Sequence, residues 1–267
     1  MFRRETPTAA EVESFHRDGY IAYPDIMQDA AREALIEEVL SPPEVRAYLA
    51  RPDRPDPGIH FVRPWDGRGP LSDRLIDAPL VRALLGATVG PRYHFCHSSM
   101  NLSRRGAGEG GIHQDHHHWR HENPVNLAER DTYYIQILYY PNGFRRGDRS
   151  LRVIPGSHKV APTEGVTPEG LLAGDYDGEA GRKLELVDLE MPPGSMVYIN
   201  ARMFHGIAPK PADSEQAYRI FLIDIFKEAG PPHRYTQEIP PAWLEGADAH
   251  RRMLFERAAY SEGCWAE

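Results

Sequence analysis

Residues 191–206, "MPPGSMVYINARMFHG", decide the fold class, because a sharp turn leads into an apolar strand that ends near a histidine. Pro192, Pro193 and Gly194 are turn formers, and the apolar run after them, "SMVYINARMF" (195–204), is typical of a buried strand. Five further segments have a similar pattern: "YHFCHSSMNLS" (93–103), "TYYIQILYY" (132–140), "SLRVIPG" (150–156), "KLELVDLEM" (183–191) and "AYRIFLIDIFK" (217–227). So many short strands separated by turns predict two facing sheets or a jelly roll.

Helices are predicted ahead of these strands. Thr8 and Glu11 have capping-box spacing, and Gly19 ends the helix that they begin. "YIAYPDIM" predicts a short strand. Helices are expected over "DAAREALIEEVL" and from Pro79 to Gly90. Residues 51–70 are rich in Pro, Gly and Asp and predict a long loop that serves as a lid.

The predicted organisation is one α+β, mainly β domain over residues 1–267. Residues 1–90 form a helical part with the lid, residues 91–228 form a jelly-roll (double-stranded β-helix, cupin-like) core, and residues 229–267 form a C-terminal loop and helix. Residues 104–110, "RRGAGEG", are expected to frame a pocket together with the lid.

Composition excludes several functional classes. The net charge is -8, which gives no electrostatic reason to bind nucleic acid or an anionic membrane. No apolar run approaches the roughly 20 residues of a membrane span. The first residues lack the apolar core of a secretory signal, and the two cysteines, Cys96 and Cys264, predict no disulfide framework. We therefore expect a cytoplasmic protein, and we expect its state to be a monomer or homodimer.

A candidate metal site lies in "GIHQDHHHWRH" (111–121), where His113 and Asp115 are two residues apart. On an extended segment their side chains point to the same face. A third ligand must come from elsewhere, and His205 is the best candidate because it follows the strong strand that begins at Ser195. Two histidines and one carboxylate are the facial triad of non-haem Fe(II) oxygenases.

The other histidines have weaker arguments. His158 follows "PGS" in a tight turn, where a histidine often caps backbone groups, and His233 and His250 lie in the irregular C-terminal part. Residues 116–118 are three consecutive histidines that cannot all face one ion. They form either a polar rim or, at His117 with Trp119, a contact to substrate.

Arg219 lies inside an apolar strand, on the face that it shares with Phe221, Ile223 and Ile225. A buried guanidinium is costly unless it is paired, and its fork geometry suits a carboxylate. One interpretation is a structural ion pair. The other is a dicarboxylate cosubstrate, because a 2-oxo acid can chelate iron and supply two electrons by decarboxylation.

Four motifs in this order resemble the phytanoyl-CoA dioxygenase family of Fe(II)/2-oxoglutarate oxygenases, which includes ectoine hydroxylase. They are "HQD" (113–115), "LRVIPGSHK" (151–159), "PPGSMVYINARMFHG" (192–206) and "YRIFLIDIF" (218–226). The resemblance covers most of the chain. It implies a double-stranded β-helix, Fe(II), 2-oxoglutarate as cosubstrate, and O2.

The resemblance also implies roles for single residues. His113, Asp115 and His205 match the iron ligands, and these three residues are the predicted catalytic centre. Arg219 matches the arginine that pairs with the distal carboxylate of 2-oxoglutarate. Trp119 falls where ectoine hydroxylase has a tryptophan in its substrate pocket.

Three further positions concern the cosubstrate. Asn101 matches a polar residue beside 2-oxoglutarate, and Gln136 on the next strand is expected to face the same region. His97 replaces a glutamine of ectoine hydroxylase, and we include it among the cofactor-binding residues. Ile207 stands where members often have a serine that helps to bind the cosubstrate.

The favoured interpretation is an oxygenase that couples 2-oxoglutarate decarboxylation to oxidation of a C–H bond in bacterial secondary metabolism. Hydroxylation is the commonest result of such chemistry, and cyclisation, desaturation and epimerisation are the alternatives. Halogenases of this type lack the ligand carboxylate, which Asp115 supplies here. Two alternatives stay open: a cupin-like iron enzyme that does not use 2-oxoglutarate, and a metal- or ligand-binding protein without turnover.

Overall fold

The structure is a computed structural model that describes residues 1–51, 59–62, 69–115, 134–160, 165–228 and 241–256. Its α-helices are α1 (Ala9–Asp18), α2 (Asp29–Leu40), α3 (Pro43–Leu49), α4 (Pro70–Ile76), α5 (Pro79–Thr88), α6 (Pro168–Ala173), α7 (Asp177–Ala180) and α8 (Ala249–Leu254). Short 3-10 helices cover Ser157–Lys159 and Pro241–Leu244. No helix in these ranges is long and apolar enough to cross a membrane.

Ten described strands form two antiparallel sheets. They are β1 (Tyr20–Tyr23), β2 (Ile59–Val62), β3 (Tyr93–Arg104), β4 (Gly110–His113), β5 (Tyr134–Tyr140), β6 (Leu151–Val153), β7 (Val187–Asp188), β8 (Ser195–Asn200), β9 (His205–Ile207) and β10 (Tyr218–Glu228). The larger sheet has the order β1-β8-β5-β10-β3-β2 and the smaller has the order β4-β9-β6-β7.

The two sheets pack face to face, as the jelly-roll prediction requires. One apolar cluster combines side chains of the larger sheet with side chains of the smaller sheet, for example Leu138 and Phe221 with Leu151 and Val153. The opposite face of the larger sheet packs on the helices, where Ile137 and Leu222 share a core with Phe15 and Leu84. Both faces of the larger sheet are therefore buried, which explains its nearly continuous apolar strands.

The predicted start and end of α1 are confirmed. Thr8 Oγ1 accepts from the Glu11 amide while the Glu11 carboxylate accepts from the Thr8 amide, and this is the complete capping box. Gly19 ends the helix at φ 86°, a left-handed conformation that glycine adopts without a Cβ clash. The next residue already belongs to β1, so the first strand of the larger sheet begins directly after this cap.

The strand predicted over residues 195–204 is too long, because β8 ends at Asn200. The side-chain oxygen of Asn200 accepts from the Arg202 amide at 3.0 Å, and the backbone carbonyl of Asn200 accepts from the Met203 amide at 2.9 Å. Asparagine favours such turns because its side chain imitates a backbone carbonyl. His205 consequently does not end β8 but opens β9, in the other sheet.

Residues 51–70 are not one uninterrupted loop, since β2 pairs with β3 inside this range. The rest of the predicted lid, residues 52–58 and 63–68, lies outside the described residues. The sequence pattern also missed α3, α4, α6 and α7, each of seven residues or fewer. Helices this short show too little apolar periodicity to stand out, and α3, α4 and α6 are begun by a proline.

Helix α4 is capped by a side chain from another helix. Its own N-cap residue, Gly69, has no side chain to accept a hydrogen bond. Glu38, on α2, supplies the acceptors instead: its carboxylate takes the Leu71 amide at 2.9 Å and the Ser72 amide at 2.7 Å. A carboxylate at a helix N-terminus also interacts favourably with the helix dipole. Glu38 therefore fixes α4 against α2.

We expect Glu38→Ala to lower the free energy of unfolding by about 1 kcal/mol, the usual cost of losing a helix cap. Glu37→Ala is the matched control, because Glu37 is an exposed residue of the same helix. The measurement is urea unfolding followed by circular dichroism. Equal midpoints for the two variants would show that Glu38 contributes nothing to α4.

Candidate metal centre

Strand pairing brings the two predicted histidine ligands together. His113 is the last residue of β4 and His205 is the first residue of β9, and the two are direct cross-strand partners. Directly opposite residues in an antiparallel pair have their Cβ atoms about 5 Å apart. The imidazole centroids accordingly lie 4.6 Å apart.

Asp115 completes the group from the bend after β4. Its backbone amide donates to the Ala201 carbonyl at 3.3 Å, which ties the bend to the turn that precedes β9. Its Oδ1 lies 3.4 Å from Nε2 of His113, and its Oδ2 lies 3.2 Å from Nε2 of His205. One ligand atom from each residue falls within 4.8 Å of the other two, so this cluster could hold a metal ion.

Backbone carbonyls fix the orientation of both imidazoles. Nδ1 of His113 lies 2.7 Å from the Gly111 carbonyl, and Nδ1 of His205 lies 2.9 Å from the Met203 carbonyl. A carbonyl can only accept, so Nδ1 carries the proton in each ring and Nε2 of a neutral ring keeps its lone pair. Nε2 of both rings then faces Asp115, and this use of Nδ1 on a backbone carbonyl is the arrangement that histidine ligands of metals usually have.

Burial and hydrogen bonding have opposite effects on the pKa of Asp115. The Asp115 side chain is only 37% exposed, and its partial loss of water alone would raise its pKa. Hydrogen bonds to His113 and His205 outweigh that effect and hold the pKa of Asp115 well below its usual value. The hydrogen bond to Asp115 in turn raises the pKa of His113 to about 9. The site thus favours positive charge beside the carboxylate, which a divalent cation would supply.

Gln136, predicted beside the cosubstrate, contacts the candidate metal ligand itself. It lies on β5 and is 4% exposed. Its side-chain amide donates to Oδ2 of Asp115 at 2.5 Å. The neighbouring glutamine, Gln114, turns away and donates to the Arg202 carbonyl at 2.6 Å. The two glutamines near the candidate ligands therefore have different partners.

Arg219 is fully buried and has no acidic partner among the described residues. Its Nη1 donates to the Arg149 carbonyl, whereas Nε and Nη2 have no hydrogen-bond partner in the part of the chain that the structure covers. Its guanidinium lies 5.6 Å from the Tyr140 ring centroid and 5.2 Å from that of Phe221. Burial lowers the pKa of Arg219 to about 10. Two unused donors in a dry, aromatic setting are suited to an anionic ligand.

Arg149 connects Arg219 to Asn101, and no local sequence pattern indicates this role of Arg149. It is a buried residue at φ 55°, a left-handed conformation that is uncommon outside glycine and often found at functional sites. While its carbonyl accepts from Arg219, its Nε donates to Ser103 Oγ at 2.9 Å. Ser103 Oγ in turn donates to Oδ1 of Asn101 at 2.8 Å. Asn101 and Arg219 are therefore held by one hydrogen-bonded chain.

The remaining predicted residues lie elsewhere or outside the described residues. The backbone of His97 lies on β3 opposite Ile225, the strand neighbour of Gln136. Ile207 lies on β9 and pairs with Leu151 and Gly110.

His158 contacts the His16 carbonyl at 3.2 Å, as expected for a backbone cap, and His250 contacts the Tyr93 hydroxyl at 2.7 Å. The histidines at 116–118, including His117, together with Trp119 and His233, fall outside the described ranges.

Comparison with protein families gives one match. The model of the phytanoyl-CoA dioxygenase (PhyH) family matches residues 15–210. This range spans the candidate ligands His113, Asp115 and His205, and it stops before Arg219. A comparison with curated protein sequences gives no match.

Several solved structures have a similar fold. EctD from S. alaskensis, solved with 2-oxoglutarate and 5-hydroxyectoine, is 19% identical with a TM-score of 0.63 over 85% of this chain and 79% of its own. The non-heme alpha ketoglutarate dependent carbocyclase SnoK from nogalamycin biosynthesis is 16% identical with a TM-score of 0.61 over 84% and 85%. HygX from Streptomyces hygroscopicus, solved with nickel and 2-oxoglutarate, is 16% identical with a TM-score of 0.60 over 84% and 88%. At these identities the likeness establishes the fold alone.

We expect Asp115→Ala to weaken Co(II) binding by at least about 10-fold, because one ligand is lost and the two imidazoles lose their shared counter-charge. Co(II) is a convenient probe because its visible absorption reports coordination directly. Asp213→Ala, at an exposed turn, is the control. Wild-type Co(II) affinity in the Asp115→Ala protein would exclude this cluster as the metal site.

Proposed function

The chain belongs to the phytanoyl-CoA dioxygenase family, and on that premise we propose that it oxidises a C–H bond of a small molecule. Enzymes of this family are Fe(II)- and 2-oxoglutarate-dependent dioxygenases, and the chain is one of them. The single observation that carries the proposal is the group formed by His113, Asp115 and His205, whose ligand atoms converge within 4.8 Å.

His113, Asp115 and His205 would hold the iron. Their donor set, two neutral imidazoles and one carboxylate, is the facial triad that leaves positions open for other ligands. Nε2 of each histidine is the atom that would bind the metal, because Nδ1 is bound to a backbone carbonyl. Because a metal binds the deprotonated ring, the cation would have to displace the proton that Asp115 favours on His113.

Arg219 would bind the distal carboxylate of 2-oxoglutarate. Nε and Nη2 lie on one edge of the guanidinium, and a carboxylate can bind both at once. The chain path supports this role, because Arg149, whose carbonyl accepts from Arg219, is four residues before Val153, the cross-strand partner of His205.

The aromatic residues beside Arg219 would strengthen this contact. Tyr140 and Phe221 stack at 5.3 Å between ring centroids and exclude water from one side of the guanidinium. An ion pair in a dry site is stronger than one in water, provided that both charges are paired. Asn101, held by Ser103, would offer its side-chain amide to the same ligand.

When bound, iron and 2-oxoglutarate supply the oxidising chemistry: 2-oxoglutarate, O2 and a substrate C–H bond give succinate, CO2 and a C–OH group. The part of the protein is to hold the metal, orient the cosubstrate and place the substrate bond. Hydroxylation is the proposed outcome. Cyclisation and epimerisation are the alternatives, and a carbocyclase, SnoK, has this fold.

The substrate is proposed to be a small molecule of bacterial secondary metabolism. HygX and SnoK share the fold, and SnoK is from nogalamycin biosynthesis. We also predict that Trp119 and His117 contact the substrate. The cytoplasmic location and the monomeric or dimeric state stay predictions.

The proposal is tested by incubating the purified protein with Fe(II), ascorbate, 2-oxoglutarate and O2 and measuring succinate. We expect slow succinate release without substrate, and faster release when a panel of candidate metabolites contains the substrate or a close analogue. Asp115→Ala should abolish both. Succinate production that is absent from the wild-type protein in all conditions would contradict the proposal.

We expect Arg219→Met to weaken 2-oxoglutarate binding by roughly 10- to 150-fold, since a hydrogen bond to a charged group is worth about 1.5–3 kcal/mol. Arg219→Lys should recover only part of the affinity, because an ammonium lacks the planar fork. The measurement is an anaerobic titration of the Fe(II) protein that follows the metal-to-ligand charge-transfer band.

Arg145→Met is the matched control for this titration, because the Arg145 side chain is 72% exposed and pairs with Glu215 at the surface. It should leave the midpoint unchanged. An unchanged midpoint in Arg219→Met as well would assign Arg219 a structural role.

A further inference from the structure

We infer that Gln136 is a positioning residue for the metal-binding carboxylate, and that it acts through Asp115 rather than by binding 2-oxoglutarate. The inference rests on the proposed function, because it requires Asp115 to be a metal ligand. Its direct support is the 2.5 Å hydrogen bond from the Gln136 side-chain amide to Oδ2 of Asp115.

Gln136 is itself held rigidly and can therefore restrain the position of another residue. It lies in the middle of β5, with Ile225 of β10 on one side and Ile199 of β8 on the other. A central strand is hydrogen-bonded along both edges, so its backbone has little freedom. The side chain is 4% exposed and therefore has few alternative rotamers.

Asp115 needs such support. It follows β4 in a bend, and its backbone amide makes one hydrogen bond, to the Ala201 carbonyl at 3.3 Å. Rotation of its carboxylate would move Oδ1 away from His113 and Oδ2 away from His205. The bond from Gln136 fixes Oδ2 on the side of His205, and this leaves Oδ1 on the side of His113.

The contact also joins the two sheets at the site. Asp115 follows the smaller sheet, whereas Gln136 belongs to the larger one. The two histidine ligands both belong to the smaller sheet, so the hydrogen bond from Gln136 is a contact from the larger sheet to this group. Gln136 thereby sets the carboxylate relative to the inner face of the larger sheet, which also bears Arg219.

A neutral amide suits this role better than a cationic side chain would. An amide N–H fixes the carboxylate without neutralising it, so Asp115 keeps its full charge for a metal ion. A lysine or arginine at this position would pair with Asp115 and compete with the metal through charge repulsion. Hydrogen-bonding partners of metal-bound carboxylates and histidines often change metal affinity by about 10- to 100-fold when removed.

The test is Gln136→Met, which keeps the length of the side chain and removes the donor. Co(II) is titrated into the protein without 2-oxoglutarate, and the visible absorption gives the dissociation constant. We expect it to rise by about 10- to 100-fold, with a shift in the Co(II) bands. Gln136→Asn, which keeps the amide but is one methylene shorter, should bind Co(II) as weakly because it cannot reach Asp115.

Gln216→Met is the control, because it also removes side-chain amide hydrogen bonds, here to the Asn142 and Gly143 carbonyls, away from the site. It should leave Co(II) affinity unchanged. Thermal melting of the metal-free proteins shows that each variant is folded. If Gln136→Met does not fold, the more conservative Gln136→Asn decides the question.

Two results would overturn the inference. One is an unchanged Co(II) dissociation constant in the folded Gln136 variants, with or without weaker 2-oxoglutarate binding. The other is an equal loss of Co(II) affinity in Gln216→Met. Failure of the proposed function is recognised separately, since the wild-type Fe(II) protein would then give no charge-transfer band with 2-oxoglutarate whatever the Gln136 variants do.

Discussion

The pairing of β4 with β9 is the constraint on which the candidate site depends. It sets His113 directly opposite His205, although the two residues are 92 positions apart in the chain. Each imidazole is then oriented by a hydrogen bond from Nδ1 to the backbone carbonyl two residues before it, so that both Nε2 atoms face Asp115. The jelly roll therefore does more than enclose the site. Its smaller sheet fixes two of the candidate ligands by backbone register, and the bend after β4 adds the third candidate.

A second constraint comes from the buried cation on β10. Arg219 is fully buried, yet it has no acidic partner among the residues that the structure describes. A folded chain pays for such a group in stability unless a ligand pairs with it. The contacts around it are numerous: the Arg149 carbonyl, two aromatic rings, and a relay through Ser103 to Asn101. These contacts fix the guanidinium and leave one edge of it unused, which is the state expected of a pre-organised anion site.

Much of this could be predicted from sequence because the signals are local. The two-residue spacing of His113 and Asp115, the capping box of α1 and the arginine in an apolar strand are all patterns within a few residues. The rest depends on long-range contacts. No local sequence pattern predicts the left-handed backbone of Arg149. Likewise, no local pattern indicates that Gln136 contacts Asp115, 21 residues away. The end of β8 was misjudged because the turn at Asn200 interrupts an otherwise apolar segment.

The central claim is that one site holds iron on His113, Asp115 and His205 and holds 2-oxoglutarate on Arg219. Crystals grown anaerobically with Fe(II) and 2-oxoglutarate test it most directly, by anomalous diffraction at the iron edge. We expect a single strong peak within bonding distance of Nε2 of both histidines and a carboxylate oxygen of Asp115, with the distal carboxylate of 2-oxoglutarate on Arg219. An iron peak away from these three residues, or a protein carboxylate paired with Arg219, would contradict it.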